Sequence, residues 1–275
     1  MDTLTLAPFE RVHLPGALAL SRAVNWPHRP EDWEMFLSLS QGMVVLDGDR
    51  VVATALATPF GAVATANMII VDAERRGGGL GRRVMEAAMA RVTATEWRLV
   101  ATQDGLPLYR KLGYEAYGEI VQHQGVARSA IVGSALPDTA TKADLDALCA
   151  MDHAATGMDR TALLTTLLKR GRIHLLQERG IPVAFAALRP FGRGEVLGPV
   201  AARSEDEARA LISPLIACAE GRFLRVDTPV SSGLADWLSA QGLAHAGGGV
   251  LMRKGATTAC TGPQTTFALA AQAFG

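Results

Sequence analysis

The chain has 275 residues, of which 49% are hydrophobic and 20% are charged, and its 27 Lys and Arg are balanced by 27 Asp and Glu. This length is sufficient for two domains with ordinary hydrophobic cores, and the composition excludes a disordered chain. The zero net charge argues against a nucleic-acid partner, because proteins that neutralise phosphates carry a basic excess.

The start of the chain, "MDTLTLAPFE", lacks the basic region and apolar core of a secretory signal, and no apolar run approaches the roughly 18 residues of a membrane span. The three cysteines, Cys149, Cys218 and Cys260, are far apart and odd in number, which fits neither a disulfide framework nor a zinc site. The histidines form no His-x-x-x-His pair. We therefore expect a cytoplasmic protein with no membrane partner and no bound metal.

In chain order, the first half is predicted to begin with helices at 14–24 and 30–39, followed by a hairpin around Asp47-Gly48. A short buried strand, "ANMIIVD", leads into a glycine-rich loop, and an amphipathic helix follows Gly81. The strand "WRLVAT", the helix "LPLYRKLG" closed by Gly113, and the strand "YEAYGEIV" complete this half.

The same order of elements recurs after a predicted linker at 133–137, beginning with a capping box of Thr141 and Asp144. Ser204 with Glu207 is predicted to cap a later helix, "RFLRVD" parallels "WRLVAT", and "LADWLSAQGLA" parallels "LPLYRKLGYEA". This pattern indicates a duplication. The predicted units are a first domain at 1–132, a second at 138–254, and a tail at 255–275 that we expect to lie across the surface of a domain.

The stretch "VDAERRGGGLGRRVM" places four glycines between a strand and a helix. Without a Cβ, these glycines let a ligand approach the main chain. The free N–H groups and the dipole of the following helix form an anion site, and Arg76, Arg82 and Arg83 add positive charge beside it. The stretch therefore predicts a site for a phosphate-bearing ligand, and the alternative is a tight connection that binds nothing.

Three phosphate-binding patterns compete for this loop. A P-loop would end in Gly-Lys-Ser/Thr, which does not occur here. A dinucleotide fingerprint starting at Gly77 would require glycine in place of Arg82, and it would follow the strand without the intervening residues 72–76. The pattern Arg/Gln-x-x-Gly-x-Gly/Ala fits as Arg76-x-x-Gly79-x-Gly81.

This loop resembles that of the GNAT superfamily of acyl-CoA-dependent N-acetyltransferases, and "LPLYRKLGYEA" is similar to the family's segment ending in Leu-Tyr-x-x-x-Gly-Phe. The two elements occur in the family order with a strand between them. "NWPHRPEDW" and "GMDR" are similar to a two-domain branch whose second half is a degenerate copy. The implied fold class is α/β (α+β), with two GNAT-like domains that each have a mixed, mostly antiparallel central sheet flanked by helices.

The resemblance implies that acetyl-CoA is the acetyl donor. Its pyrophosphate would bind the N–H groups of the loop, and its pantetheine arm would enter a gap between the strands at 68–71 and 98–102. Tyr109 matches the family tyrosine that protonates or positions the departing sulfur. The second copy has no glycine between Pro199 and the next helix, and Leu238 takes the place of Tyr109. The implied cofactor-binding residues are Ile69, Ile70, Val71, Arg76, Gly77, Gly78, Gly79, Leu80, Gly81 and Arg82.

The sequence names no general base. Asn67 and the segment 103–105 stand where the family often carries Glu or Asn, and Asp104 and His28 are the candidate bases. The candidate lining residues of the substrate cleft are Trp26, His28, Asp159 and Arg160.

The predicted function is transfer of an acetyl group from acetyl-CoA to the primary amine of a small molecule. A non-catalytic acyl-CoA-binding sensor or structural protein and a dinucleotide-binding protein remain as alternatives. The identity of the amine, and whether the chain forms a homodimer, stay open.

Overall fold

The computed structural model of the chain describes residues 4–128 and 136–275. The predicted end of the first domain at residue 132 and residues 133–135 of the predicted linker lie outside the described residues. The helices are α1 (Leu14–Ala23), α2 (Pro30–Leu39), α3 (Leu80–Met89), α4 (Leu106–Lys111), α5 (Leu145–Thr156), α6 (Thr161–Arg170), α7 (Glu205–Cys218) and α8 (Ala235–Ala240). The strands are β1 (Leu4–Pro8), β2 (Gln41–Asp47), β3 (Arg50–Phe60), β4 (Val63–Val71), β5 (Glu96–Ala101), β6 (Glu115–Val126), β7 (Asp138–Thr139), β8 (Arg172–Glu178), β9 (Ile181–Phe191), β10 (Gly194–Ala202), β11 (Phe223–Pro229), β12 (Ala244–Gly255) and β13 (Thr265–Ala268).

Most elements form where the sequence pattern predicts them. The turn after Asp47 connects β2 to β3, Thr141 and Asp144 form the capping box before α5, and the Ser204 hydroxyl accepts a hydrogen bond from the Glu207 N–H at the start of α7. β1 was not predicted, because "LTLAP" is short and ends in proline; it pairs with β2 at the sheet edge, where proline is tolerated. The mixed α/β class, with a largely antiparallel sheet flanked by helices, is confirmed.

The thirteen strands of the described residues form one sheet in which the two halves exchange their last strands. β12 of the second half lies between β5 and β6, and β6 of the first half lies between β12 and β11. Gly248 and Gly249 permit this insertion, because a Cβ on either would collide with the carbonyl oxygen of Ile120 or the side chain of Val100. Main-chain hydrogen bonds therefore join the halves along three strand boundaries.

The largest apolar cluster lies between the halves, and smaller clusters lie beneath α3 and α7. Both halves and the tail contribute fully buried large side chains to it, so the interface is a hydrophobic core in its own right. These side chains include Trp33, Phe36, Leu163, Phe185 and Phe274.

The tail enters the interior of the protein rather than lying across its surface as expected. Its strand β13 pairs antiparallel with β10, and Phe274 is fully buried in the cluster between the halves. The guanidinium of Arg160 donates to the carbonyl oxygen of Phe274 at 3.2 Å. The apolar run "FALAAQAF" explains this placement, because its burial removes a continuous hydrophobic segment from water.

Candidate active site

The glycine loop leaves an open main-chain surface at the start of α3. Asp72 accepts a hydrogen bond from the Glu74 N–H and begins one helical turn, after which Gly77 and Gly79 take left-handed φ angles of 84° and 77°. Most other residues are strained in that region, so the turn itself favours these two glycines. No atom lies within 4 Å of the place of a Cβ on Gly77, Gly78 or Gly79. The first turn of α3 is therefore accessible to an anion.

The remaining loop residues have packing or charge contacts of their own. A Cβ on Gly81 would lie 3.4 Å from Cγ2 of Val71 and 3.6 Å from Cδ2 of Leu108, so this glycine lets α3 approach β4 and α4 closely. Arg76 Nε donates to the carbonyl oxygen of Val71 at 3.3 Å. Arg82 forms an exposed ion pair with Glu86 at 2.9 Å, which is weak enough to be exchanged for a ligand.

A bulge in β4 opens a gap beside β5. Leu56 pairs with Asn67 but Thr54 pairs with Ile70, so Met68 and Ile69 together face a single residue of β3. Met68 has a left-handed φ of 49°, and the Thr54 hydroxyl donates to its carbonyl oxygen at 2.8 Å. The parallel pairing of β4 with β5 ends at Thr65 and Arg98. The predicted gap between the two strands is therefore present, and Ile69, Ile70 and Val71 line it.

Tyr109 lies on α4 with its ring almost completely buried beside the gap. The ring packs over Gly105, where a Cβ would come within 2.7 Å of Cε2, and it makes an edge contact with Tyr114 at a centroid distance of 6.1 Å. Burial raises the pKa of Tyr109 to about 12. The phenol is therefore protonated across the physiological pH range and can act as a hydrogen-bond donor.

One cavity of about 970 Å³ joins the loop, the gap and Tyr109 to a wall built by β6, the second half and the tail. Trp26 and His28 line it, as predicted, and so do the loop residues with the exception of Gly78. The wall could not be predicted from the sequence, because strands distant in sequence supply it and no local motif marks it. The wall residues are Gln122, Gln124, Phe191, Arg193, Arg225 and Gln272.

His28 is enclosed by aromatic rings at the boundary between the halves. Its ring centroid lies 5.4 Å from that of Phe36 and 5.6 Å from that of Phe191. Burial lowers the pKa of His28 to about 4, with Asp32 opposing and the positive charges of Arg225 and Arg189 adding to the effect. His28 is therefore neutral near pH 7 and a weak proton acceptor.

The Ser21 hydroxyl connects the rings of Trp33 and His28. The Trp33 Nε1–H donates to Ser21 Oγ at 2.9 Å, and Ser21 Oγ lies 3.2 Å from Nδ1 of His28. The hydroxyl can donate to Nδ1 or accept a proton from it, so Ser21 links the indole of Trp33 to the imidazole of His28 in either tautomer.

The other two polar candidates differ in their environment. Asn67 lies against the cavity, and its amide nitrogen donates to the Thr58 hydroxyl at 2.8 Å. Its Oδ1 is buried and has no hydrogen-bond partner among the described residues. Asp104 lies on the exposed turn before α4. The structure thus brings Asn67 and His28 into the cavity interior and leaves Asp104 near its mouth.

Asp159 and Arg160, two predicted cleft residues, lie outside the cavity. The Asp159 carboxylate accepts from the N–H and hydroxyl of Thr161 at the start of α6. Arg160 is fully buried in a bidentate ion pair with Asp152, with distances of 2.8 and 2.6 Å. Both have structural roles, which a sequence pattern alone did not distinguish from a place in the cleft.

The second half has the same bulge as β4, but its gap is filled. Leu197 pairs with Leu188 and Val200 pairs with Ala186, so Gly198 and Pro199 of β10 together face one residue of β9. In the same way, Met68 and Ile69 of β4 together face one residue of β3. The tail strand β13 occupies the space beyond this bulge, paired with β10. α8 repeats α4 with Leu238 in the place of Tyr109, as expected: Leu243 N–H bonds the Leu238 carbonyl as Tyr114 N–H bonds that of Tyr109.

Within the described residues, no group of three or more His, Cys, Asp or Glu side chains could hold a metal ion. The described helices also include none that is long and apolar enough to cross a membrane.

Comparisons with known proteins agree with this architecture. Models of the acetyltransferase (GNAT) domain match residues 38–116 and 148–268. An uncharacterized N-acetyltransferase of Bacillus subtilis (strain 168), YitH, is 30% identical over an alignment of 232 residues that covers 79% of this chain and 79% of that one. A putative acetyltransferase from Pyrococcus horikoshii superposes with a TM-score of 0.85 at 17% identity, over 100% of this chain and 97% of that one. A tandem GNAT protein from the clavulanic acid biosynthesis pathway superposes with a TM-score of 0.63 at 14% identity, over 94% and 100%.

The chain therefore belongs to the GNAT acetyltransferase family and carries two GNAT domains. It is an acyltransferase of the N-acetyltransferase type, in a family whose members use acetyl-CoA as the donor.

Proposed function

We propose that the chain transfers an acetyl group from acetyl-CoA to a primary amine of a small molecule, with the donor bound by the first half. The observation that carries this proposal is the continuity of one cavity from the open helix start at Gly79, along the gap beside Ile69–Val71, to Tyr109. The three parts of acetyl-CoA match these environments in this order: the diphosphate suits the helix start, the extended pantetheine arm suits the gap, and the thioester suits the position beside Tyr109.

The proposed donor site uses main chain more than side chains. The N–H groups that begin α3 hold the pyrophosphate, and Arg76 and Arg82 add charge at its edge. The unpaired edge of β4 beyond Thr65 offers main-chain groups to the amides of the pantetheine arm. The complete set of proposed donor-binding residues is Ile69, Ile70, Val71, Arg76, Gly77, Gly78, Gly79, Leu80, Gly81 and Arg82.

When bound, the donor supplies an activated thioester, and the amine nitrogen attacks its carbonyl carbon while the carbon–sulfur bond breaks. Full proton transfer from Tyr109, with a pKa of about 12, to a thiolate of pKa about 8.5 would be uphill by about 5 kcal/mol. Burial in the same cavity also raises the pKa of the thiol and narrows this difference. We therefore assign Tyr109 the role of donating a hydrogen bond to the departing sulfur.

The acceptor must lose a proton before attack, and His28 is a poor base because its pKa is about 4. The guanidinium groups of Arg193 and Arg225 lie against the same cavity. Positive charge lowers the pKa of a bound ammonium group, so a larger fraction of the acceptor is neutral there than in water. Water in the cavity then carries the proton to solvent.

Substitution of Gly79 by Asp and by Asn tests the donor site. Both residues tolerate a left-handed φ and both cap helices well, so the two variants differ mainly in charge. We expect the Asp variant to bind acetyl-CoA at least about tenfold more weakly than the Asn variant in calorimetric titration, because the carboxylate repels the diphosphate. Equal affinities of the two variants would refute this placement of the pyrophosphate.

Release of free thiol from acetyl-CoA over a panel of amines tests turnover. Tight donor binding without amine-dependent thiol release would favour the alternative of a non-catalytic acyl-CoA sensor.

A further inference from the structure

The wall that the second half contributes to the cavity carries positive charge without a free negative partner. Among the described residues that line the cavity, Asp104 is the one carboxylate, and it lies on an exposed turn. Arg193 and Arg225 are the charged groups of the wall itself. A second ammonium group on the acceptor would be repelled here, and an anionic group would be attracted.

Arg225 is held in place but keeps one donor group unused. Its Nε and Nη2 donate to the fully buried carboxylate of Asp227 at 2.8 and 3.1 Å. Gln272 Nε2 donates to the same carboxylate at 3.0 Å, so Asp227 is satisfied and not available to a substrate. No hydrogen bond within the described residues involves Nη1 of Arg225.

Arg193 is positioned by stacking rather than by an ion pair. It lies in the turn between β9 and β10, with its guanidinium 4.7 Å from the ring centroid of Phe223. The Gly192 N–H donates to the buried Asp32 carboxylate at 2.9 Å, which fixes the turn against the first half. Stacking leaves the N–H groups at the guanidinium edge free, and this edge matches a carboxylate. No hydrogen bond or ion pair to Arg193 occurs within the described residues.

We propose that the acceptor is a small primary amine that also carries a carboxylate, and that Arg193 and Arg225 bind this carboxylate. This inference rests on the proposed function, because it assigns the acceptor end of the same cavity. Two guanidinium groups and one carboxylate leave a net positive charge, so the bound ammonium group still loses its proton more readily than in water. Polyamines and other polycationic amines, which lack a carboxylate, are therefore poor acceptors.

Matched pairs of an amino acid and its decarboxylated amine test the proposal, for example lysine with cadaverine and β-alanine with ethylamine. At saturating acetyl-CoA, we expect kcat/KM for thiol release to be at least about tenfold higher for the carboxylated member. Arg193→Gln should raise KM for that member about tenfold without raising KM for its partner, with partial recovery in Arg193→Lys. Arg179→Gln is the matched control, since Arg179 lies in the exposed turn between β8 and β9, at the other end of β9 and outside the cavity.

Calorimetric titration of the same pairs into the CoA-loaded protein separates this inference from the proposed function. Preferential binding of the carboxylated member, weakened by Arg193→Gln, supports the inference even without turnover, while the absence of turnover would count against the transferase. The inference is overturned if turnover or binding is equal for the two members of a pair, or is better for the decarboxylated amine. Turnover of either member would still support the proposed acetyltransferase function.

Discussion

The main-chain N–H of Leu269 donates a hydrogen bond of 2.8 Å to the carbonyl oxygen of Asp227. Because β13 pairs with β10 immediately before Leu269, the tail extends from β10 to β11 inside the gap between them. A Cβ on Gly198 would overlap the carbonyl oxygen of Leu269, so this glycine makes room for the tail. In the second half, the main chain of the tail thus fills the space that corresponds to the open gap beside β5 in the first half.

We predict that one chain binds one equivalent of acetyl-CoA. The residues equivalent to Ile70 and Val71 are Val200 and Ala201, and these are already paired with the tail. Calorimetric titration measures the stoichiometry directly, with Gly79→Asp as the variant in which this single binding event is weakened. Two equivalents per chain, or one equivalent whose affinity this substitution leaves unchanged, would contradict the prediction.

We predict that Tyr109→Phe lowers kcat by about tenfold or more and leaves the affinity for acetyl-CoA within about twofold. Since the pKa of Tyr109 is about 12, the phenol stays protonated, and the loss should be the same at every pH from about 6 to 9. Tyr114→Phe is the control, because Tyr114 is buried outside the cavity. A loss that grows or vanishes with pH in this range, or an equal loss in the control, would exclude the assigned role.

We predict that His28 makes the protein less stable in acid. Its pKa is about 4 in the folded chain and about 6.5 when unfolded, so between these values the unfolded state binds more protons. The free energy of unfolding therefore falls as the pH drops from about 6.5 to 4, by up to about 3 kcal/mol from this residue. Urea denaturation at several pH values should give a shallower decline for His28→Gln. Parallel declines in the variant and the unchanged protein would disprove the assignment.

The glycine loop, α4 and most strands could be predicted because each depends on a short contiguous segment. Gly77 and Gly79 are favoured by local backbone angles, and Tyr109 lies four residues before the helix-closing Gly113. Such local signals do not depend on how distant segments of the chain pack together. The family resemblance, which implied the fold class and the position of the open gap, therefore rests mainly on short segments of this kind.

The acceptor wall and the course of the tail could not be predicted, because both depend on which strands become neighbours. Gln124 lies beside Arg225 since β6 leaves its own half to pair with β11. No hydrophobic pattern in "YEAYGEIV" distinguishes that neighbour from β5. The buried tail has a weak signal, the apolar run after Thr266, but its small residues resemble those of a surface segment.

The strand exchange also constrains the order of assembly during translation. The half that carries the glycine loop leaves the ribosome first, yet the edge of its β5 is covered by β12, which is synthesised after nearly all of the other half. Until then the nascent chain presents an unpaired strand edge, the kind of surface that chaperones protect. The first half expressed without the second would therefore be an aggregation-prone fragment rather than a smaller enzyme.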